Sequence, residues 1–517
     1  MKNKAWKNPV FSVSASILIV LVLLGGLMPA PFGRVAGTLF DFTTINFGWF
    51  YLLSVFLIIL FLAGLALSKY GAIRLGGEEE RPEFPFFTWI GMLFSAGFGV
   101  GLVFWGVAEP MSHYLSTPFA DLEGRTVEAA RVAMGYSFFH WGISQWSVYA
   151  LVGLVIAFMQ YRKQKDGLIS TALEPIAGQK PGVKNTIDSF AVIATVMGVA
   201  TSIGLGALQM NGGLNAVFGT GTSFWVQLAI IGVVFCAYML SSTTGLNKGI
   251  RYLSNLNLVF AIVLLLFVFV TGPTLFILET FTLAVGDYIS NFIGYSLRLQ
   301  PYRGGTWVRD WTIFYWAWAI SWSPFVGAFI ARVSKGRTIR EFIMGVMTVP
   351  PALACIWIAA FGGTALWNDA HKNAGIADAV QMDVSSALFK TFEFLPLTIL
   401  SSVLSILLIL TFLVTSADSA TFIMSSMTSK GSRNPPRFAK FVWGILMAAI
   451  ASVLLYAGGL DALQTASLIS ALPFTLVLLL LVLSIAKLLR KEPLPIRKAD
   501  LKRFLRLEKA AKEEKKK

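Results

Sequence analysis

The sequence predicts an all-α polytopic membrane protein with twelve transmembrane helices. Three observations predict it. The 517 residues are 56% hydrophobic, with a mean hydropathy of +0.70, where soluble domains sit at about 45–50% apolar. Apolar runs long enough to cross a hydrocarbon core of about 30 Å recur along the whole chain. They fall near 10–29, 48–68, 86–108, 134–160, 187–210, 223–242, 252–272, 310–331, 342–362, 395–417, 438–457 and 464–486. The basic residues are also uneven: an even number of spans puts both termini on one side, and 34 of the 42 Lys and Arg lie there, 13 of them after residue 486. Positive-inside asymmetry makes that side the cytoplasm of a multi-pass protein in the cell membrane, among lipids. The net charge of +15 is therefore topology plus a tail, and no nucleic acid is expected as a partner.

The first run follows a basic start, as in a signal peptide. Its length and the lack of a cleavage site predict a retained helix. Segments one and two carry no polar cluster and read as scaffold, so residues 1–85 form an N-terminal tail with two scaffold helices. The loop RLGGEEERPEF (74–84) is a solvated turn, with a helix start beyond Pro82.

The third segment holds SAGFGVGLVFWGVAEP (95–110), with Gly97, Gly99 and Gly101 at every second position. Glycine lacks a Cβ, so a helix can unwind there and another group can approach the bare backbone. In a bilayer this is tolerated only where the backbone is buried in protein or lines a wet cavity, which is where transporters bind their substrates. The same spacing also suits close helix packing through Gly97 and Gly101.

Segment four contains FFHWGISQWSVYAL, with Trp141, Trp146 and Tyr149 well inside the apolar run. Interfacial belts place tryptophan near helix ends instead. At about 100° per residue, Trp146 and Tyr149 are neighbours on one face and Trp141 lies two turns from Tyr149 on nearly the same face. His140 beside them is either a proton relay or a hydrogen-bonded core residue. In segment five, TVMGVATSIGLGALQ (195–209) mixes Thr195, Thr201 and Ser202 with glycines. Those hydroxyls suit either helix–helix hydrogen bonds or an alkali cation.

Residues 272–298 are apolar at helical spacing but interrupted by Glu279, Asp287 and Asn291. An amphipathic helix at the outer interface fits better than a span. Segment eight, WTIFYWAWAISWSPFVGAFIAR (311–332), packs Trp316, Trp318 and Trp322 into seven positions. Trp318 and Trp322 share a face at i, i+4. Pro324, followed by Gly327, predicts a break near the middle. Broken third and eighth segments divide the chain into units 86–272 and 310–486, separated by 273–309. Five helices per unit force opposite orientations, an inverted repeat with the site between the two broken helices.

Segment ten ends in LTFLVTSADSATFIM (410–424), which puts the oxygens of Thr415, Ser416, Asp418 and Ser419 at a helix end next to Phe412. These oxygens either coordinate a cation or satisfy the helix terminus. The tail 487–517 is basic and weakly amphipathic; an anionic inner leaflet or water suits it equally. Cys236 and Cys355 both lie in apolar runs, so no disulfide framework is expected, and no CxxC or Cys/His metal spacing exists. An intramembrane enzyme needs paired carboxylates, a Ser/His pair or a metal cluster. With three His and no His/Cys/Glu cluster at ligand spacing, no enzymatic activity is expected.

The stretches GFGVGLVFWGVAEP, HWGISQW, ATSIGLGALQ, FYWAWAISWSPFVGAFIARVSKGRTIREF and VTSADS occur in this order. Together they resemble the signatures of the betaine/choline/carnitine transporter family, strongly over about 86–425 and by topology elsewhere. The resemblance implies two inverted five-helix repeats of the amino acid–polyamine–cation type behind two extra N-terminal helices, and a homotrimer. It implies a secondary active transporter importing a zwitterionic compatible solute for osmoprotection, glycine betaine foremost or else ectoine, by sodium symport with alternating access. The alternative is a sodium-independent or proton-coupled carrier or exchanger of choline or carnitine. No cofactor is implied beyond sodium as coupling ion.

By the same resemblance, Trp141, Trp146, Tyr149, Trp318 and Trp322 form an aromatic box around the substrate cation, where cation–π attraction reaches about 2 kcal/mol. Gly97, Phe98, Gly99 and Gly101 lie against the substrate. A sodium site corresponds to the carbonyls of Ser95, Phe98 and Phe412 with the hydroxyls of Thr415 and Ser416. Leu258 stands where a sodium-independent exchanger branch has arginine, which favours sodium coupling. Three departures stand out. Phe98 and Val100 replace the Met and Ile of Gly-Met-Gly-Ile-Gly. Ala319 replaces a tryptophan, and loss of that wall fits a differently shaped solute such as the cyclic zwitterion ectoine. Thr195 matches one hydroxyl of a second sodium site, but Val199 stands in place of another.

Overall fold

The structure is a computed structural model that describes residues 7–97, 99–244, 247–302 and 304–494, with backbone alone at 94–97, 243–244 and 247–251. Among the described residues eighteen α-helices follow one another: α1 Pro9–Leu27, α2 Pro29–Leu67, α3 Phe86–Gly97, α4 Val100–Leu115, α5 Val127–His140, α6 Ile143–Ala157, α7 Ile169–Ala172, α8 Glu174–Ala177, α9 Pro181–Phe218, α10 Phe224–Thr244, α11 Asn247–Thr271, α12 Thr274–Ser296, α13 Phe314–Val333, α14 Ile339–Lys372, α15 Ile376–Met382, α16 Ala387–Phe392, α17 Thr398–Met427 and α18 Arg437–Leu489. No strand occurs among the described residues; Arg74 and Thr338 form one isolated antiparallel bridge.

Among the described residues, ten helical stretches are long and apolar enough to cross a membrane. Two features reconcile this with twelve apolar segments. The third segment is split into α3 and α4, of 12 and 16 residues, each short for a span. The 53-residue α18 carries two spans, because Gly458 and Gly459 leave helical geometry in its middle, Gly459 at φ +60°.

Helix ends follow local chemistry. Asn8 accepts the Val10 N–H ahead of Pro9 at the first turn of α1, and Thr338 with Glu341 forms a reciprocal capping box on α14. Several helices outrun the apolar windows. The second apolar segment is expected near 48–68, but α2 begins at Pro29 and passes through Asp41–Asn46 without interruption. Its hydroxyls turn inward on the helix: Thr44 donates to the Phe40 carbonyl at 2.9 Å.

Burial sorts the helices. In the most apolar window of each, 94% of Val127–Arg162 and 89% of Pro181–Phe218 are buried, against 28% for Phe224–Ser242 and 22% for Tyr252–Thr271. The first pair forms the centre; the second shows its side chains outward, as lipid-facing helices must. The centre tolerates polar groups because they pair. Thr201 on α9 contacts Ser467 Oγ at 2.8 Å and donates to the Leu463 carbonyl, and Ser321 on α13 donates to the Ser467 carbonyl at 2.9 Å. Helices α6 and α13 touch at Gly153 and Gly327. A Cβ on Gly327 would lie 2.7 Å from Val152 Cγ1, so glycine there permits the crossing.

Three expectations are corrected. The eighth segment does not break at Pro324: α13 is helical from Phe314 to Val333. The proline removes the donor that would reach the Ile320 carbonyl, but Ser323 Oγ donates to that carbonyl instead, at 2.7 Å. Gly327 serves packing. The broken partner of the third segment is the fourth, which stops at His140 and restarts at Ile143. Residues 410–424 do not form a helix end either, since α17 continues to Met427. Thr415 and Thr421 donate to the carbonyls of Thr411 and Ala417, four residues back, and the polar run stays helical.

The amphipathic helix expected at 272–298 is present as α12. Its apolar side, including Ile277, Ala284, Tyr288 and Tyr295, is buried, and Asp287 pairs with Arg131 of α5 at 2.7 Å.

Candidate functional site

The two breaks in the third and fourth segments face each other. At the first, Gly99 is extended (φ −132°, ψ 176°) and α4 begins at Val100. At the second, Trp141 and Gly142 leave the helix, Gly142 at φ −84° and ψ −152°. Breaking a helix frees backbone donors that need partners. Tyr288, reaching in from α12, accepts the Ile143 N–H at 2.9 Å. Its hydroxyl lies so near that a Cβ on Gly142 would sit 2.3 Å from it. Gly142 is thus required where it stands, and it was the overlooked break signal in HWGISQW.

Around these breaks one cavity forms. It is lined by Gly99, Gly101 and Leu102, by Trp141, Gln145, Trp146 and Tyr149 of the fourth segment, by Trp318 and Trp322 of α13, and by Ala354 of α14. Trp146 and Tyr149 meet edge to face with centroids 5.4 Å apart. Trp141 stands perpendicular to Trp318 at 6.1 Å, and Trp318 and Trp322 are tilted at 6.3 Å. The glycines let the rings close on bare backbone. A Cβ on Gly101 would lie 2.3 Å from Trp318 Cη2 and 3.3 Å from Trp141 Cη2, and one on Gly99 3.6 Å from Trp322 Cη2. Unwinding describes Gly99, whereas Gly101 is helical and its nearest neighbours are the Trp318 and Trp141 rings. The enclosed space is about 30 Å³, room for about one water molecule. A solute therefore requires the rings to part.

All five expected aromatics, with Gly99 and Gly101, thus line one cavity. Gly97 ends α3, and Phe98 lies outside the described residues. Ala319 is fully buried and is not among the lining residues.

Behind Trp141 sits a group that the sequence reading passed over. Glu109 is fully buried. Its Oε1 lies 2.7 Å from His140 Nδ1 and 3.2 Å from His113 Nε2. Its Oε2 accepts from Trp141 Nε1 at 2.8 Å and from the Tyr315 hydroxyl at 2.5 Å. His140 Nε2 is 3.0 Å from Thr312 Oγ1. The expectation of no His/Glu cluster at ligand spacing is therefore corrected. Glu109 and His113 stand at i, i+4, and with His140 their ligand atoms lie within 4.8 Å of one another. Glu109 is the one acidic residue between 86 and 115, which was its available signal. For His140, the geometry matches the hydrogen-bonded core reading. The cluster anchors the Trp141 indole, one wall of the cavity.

The expected sodium ligands fall into two groups. Phe412, Thr415 and Ser416 lie on successive turns of α17. Thr415 Oγ1 is 3.1 Å from the Phe412 carbonyl and accepts from Asn257 Nδ2, also at 3.1 Å. Phe98 and the Ser95 side chain lie outside what is described. Asn257 was not singled out, although it neighbours Leu258. Thr195 donates to its own helix at Ala191, 2.7 Å away, and Val199 is buried.

The sequence model of the betaine/carnitine/choline family transporters matches residues 9–494. Over 491 residues, covering 95% of this chain and 98% of the other, the chain is 63% identical to an ectoine/hydroxyectoine transporter of Virgibacillus pantothenticus. Over 498 residues, covering 95% and 96%, it is 47% identical to the glycine betaine transporter OpuD of Bacillus subtilis.

Proposed function

Because the chain belongs to the betaine/carnitine/choline transporter family, we propose that it imports a zwitterionic compatible solute, with ectoine placed ahead of glycine betaine, as an osmoprotective uptake system. The observation that carries this reading is the cavity of five aromatic side chains closed over Gly99 and Gly101. Ring faces attract a cation and need no hydrogen from it. The order of the two solutes reverses the one expected from sequence. It follows the 63% identity to an ectoine/hydroxyectoine carrier against 47% to a glycine betaine carrier.

The proposal includes sodium symport through Ser95, Phe98, Phe412, Thr415 and Ser416. Support comes from Leu258, an apolar residue where an arginine would displace the ion. It also includes alternating access between inverted repeats 86–272 and 310–486, a homotrimer, and residence in the cell membrane with both termini cytoplasmic. The uneven distribution of basic residues supports that orientation.

The test is uptake of labelled ectoine into proteoliposomes with and without an imposed sodium gradient, competed by glycine betaine, choline, carnitine and proline. Sodium-driven uptake competed by ectoine and glycine betaine is expected. Uptake of the same rate without sodium would overturn the symport mechanism, and indifference to every zwitterion would overturn the substrate class.

A further inference from the structure

We infer that Gln145 selects the solute by accepting a hydrogen bond from its cationic end, so that the cavity prefers an N–H-bearing zwitterion to a fully methylated ammonium. This inference rests on the proposal that the aromatic cavity is the solute site. Gln145 stands between Trp141 and Trp146 on the broken fourth segment and is 5% exposed. Its Nε2 donates to the Tyr149 hydroxyl at 3.3 Å. That contact holds the amide of a residue that lines the cavity, and its Oε1 is buried without a hydrogen-bond partner in the protein. The indole Nε1 atoms of Trp318 and Trp322 are likewise buried and unpartnered.

Three residues that line the cavity thus each carry one buried polar atom without a partner in the protein, two donors and one acceptor. The donors suit a carboxylate, which every zwitterionic solute of this kind carries. The acceptor discriminates. A trimethylammonium group has no N–H and leaves Gln145 Oε1 unsatisfied when the rings close. A cyclic amidinium, the cationic group of ectoine, is planar, stacks on indole faces and carries N–H donors. Leaving a buried acceptor unpaired costs a substrate on the order of 10- to 100-fold in affinity. The aromatic faces hold both kinds of cation; the amide separates them.

The test measures Kd for ectoine and for glycine betaine on the purified full chain, by tryptophan fluorescence. Wild type is expected to bind ectoine at least tenfold more tightly. Gln145→Leu is expected to weaken ectoine about 10- to 100-fold and to leave glycine betaine within about threefold, which collapses the ratio. Gln145→Glu keeps an acceptor and is expected to keep the preference for ectoine. It also supplies the reading if the leucine variant does not fold. Equal loss for both solutes in Gln145→Leu, an unchanged ratio, or a ratio lost in Gln145→Glu would each overturn the inference. Trp318→Ala separates the two levels. If it leaves both affinities unchanged, the cavity is not the solute site; if it weakens both while Gln145→Leu changes neither, the cavity stands and the role of Gln145 falls.

Discussion

Two sets of buried polar groups adjoin Trp141, and they differ in one respect. Around Glu109 the groups satisfy each other: both carboxylate oxygens have two neighbours, and His140 has a partner on each nitrogen. The exception is His113 Nδ1. In the aromatic cavity Gln145 Oε1, Trp318 Nε1 and Trp322 Nε1 have no partner. A closed network fixes shape, because any movement breaks several bonds at once. An open one retains the capacity to bind, because a ligand brings the missing partners. Trp141 joins the two, donating to Glu109 while lining the cavity.

The largest effect is expected from breaking the closed cluster. Glu109→Ala strands Trp141 Nε1, the Tyr315 hydroxyl and two histidines, for a loss of about 3 kcal/mol in stability. Thermal unfolding in detergent measures it, and an unchanged midpoint would show that these bonds do not hold the centre together. Removing a cavity wall acts on binding instead. Trp318→Ala or Trp322→Ala is expected to weaken solute affinity by about 30-fold, the equivalent of about 2 kcal/mol of cation–π attraction, read by fluorescence titration. Equal binding in wild type and variants would refute the box.

Gly101→Ala sharpens the contrast further. Its Cβ would meet Trp318 Cη2 at 2.3 Å, so the ring must shift, and a tenfold loss of affinity is expected for about 1.4 kcal/mol of overpacking. Isothermal titration decides whether the ring yields without loss. The smallest effect belongs to α17. Thr415→Ala with Ser416→Ala is expected to raise the sodium concentration for half-maximal uptake severalfold, with Asn257 losing an acceptor at a cost of about 1 kcal/mol. An identical sodium curve would remove these residues from the ion site.

Much of the cavity lining was legible in the sequence because its signals are local. Glycines at 97, 99 and 101 and indoles away from the interfaces stand out in any apolar run. Gln145 and Glu109 were equally visible as letters, but nothing local says that Gln145 lines the cavity or that Glu109 meets Trp141 across 32 positions. The proline rule failed at Pro324 for a similar reason. It accounts for the donor that is lost but not for the neighbouring hydroxyl that replaces it.

Hydropathy alone determined that the chain is a bundle of apolar helices, since the bilayer imposes length and polarity on each span separately. Tertiary structure decided which interruptions become real breaks. Gly142 unwinds because Tyr288 from α12 supplies the partner its neighbour needs, whereas Pro324 stays helical because Ser323 restores the missing bond. In a membrane a helix opens only where some other part of the molecule can satisfy the freed backbone, and that depends on packing between segments far apart in the chain.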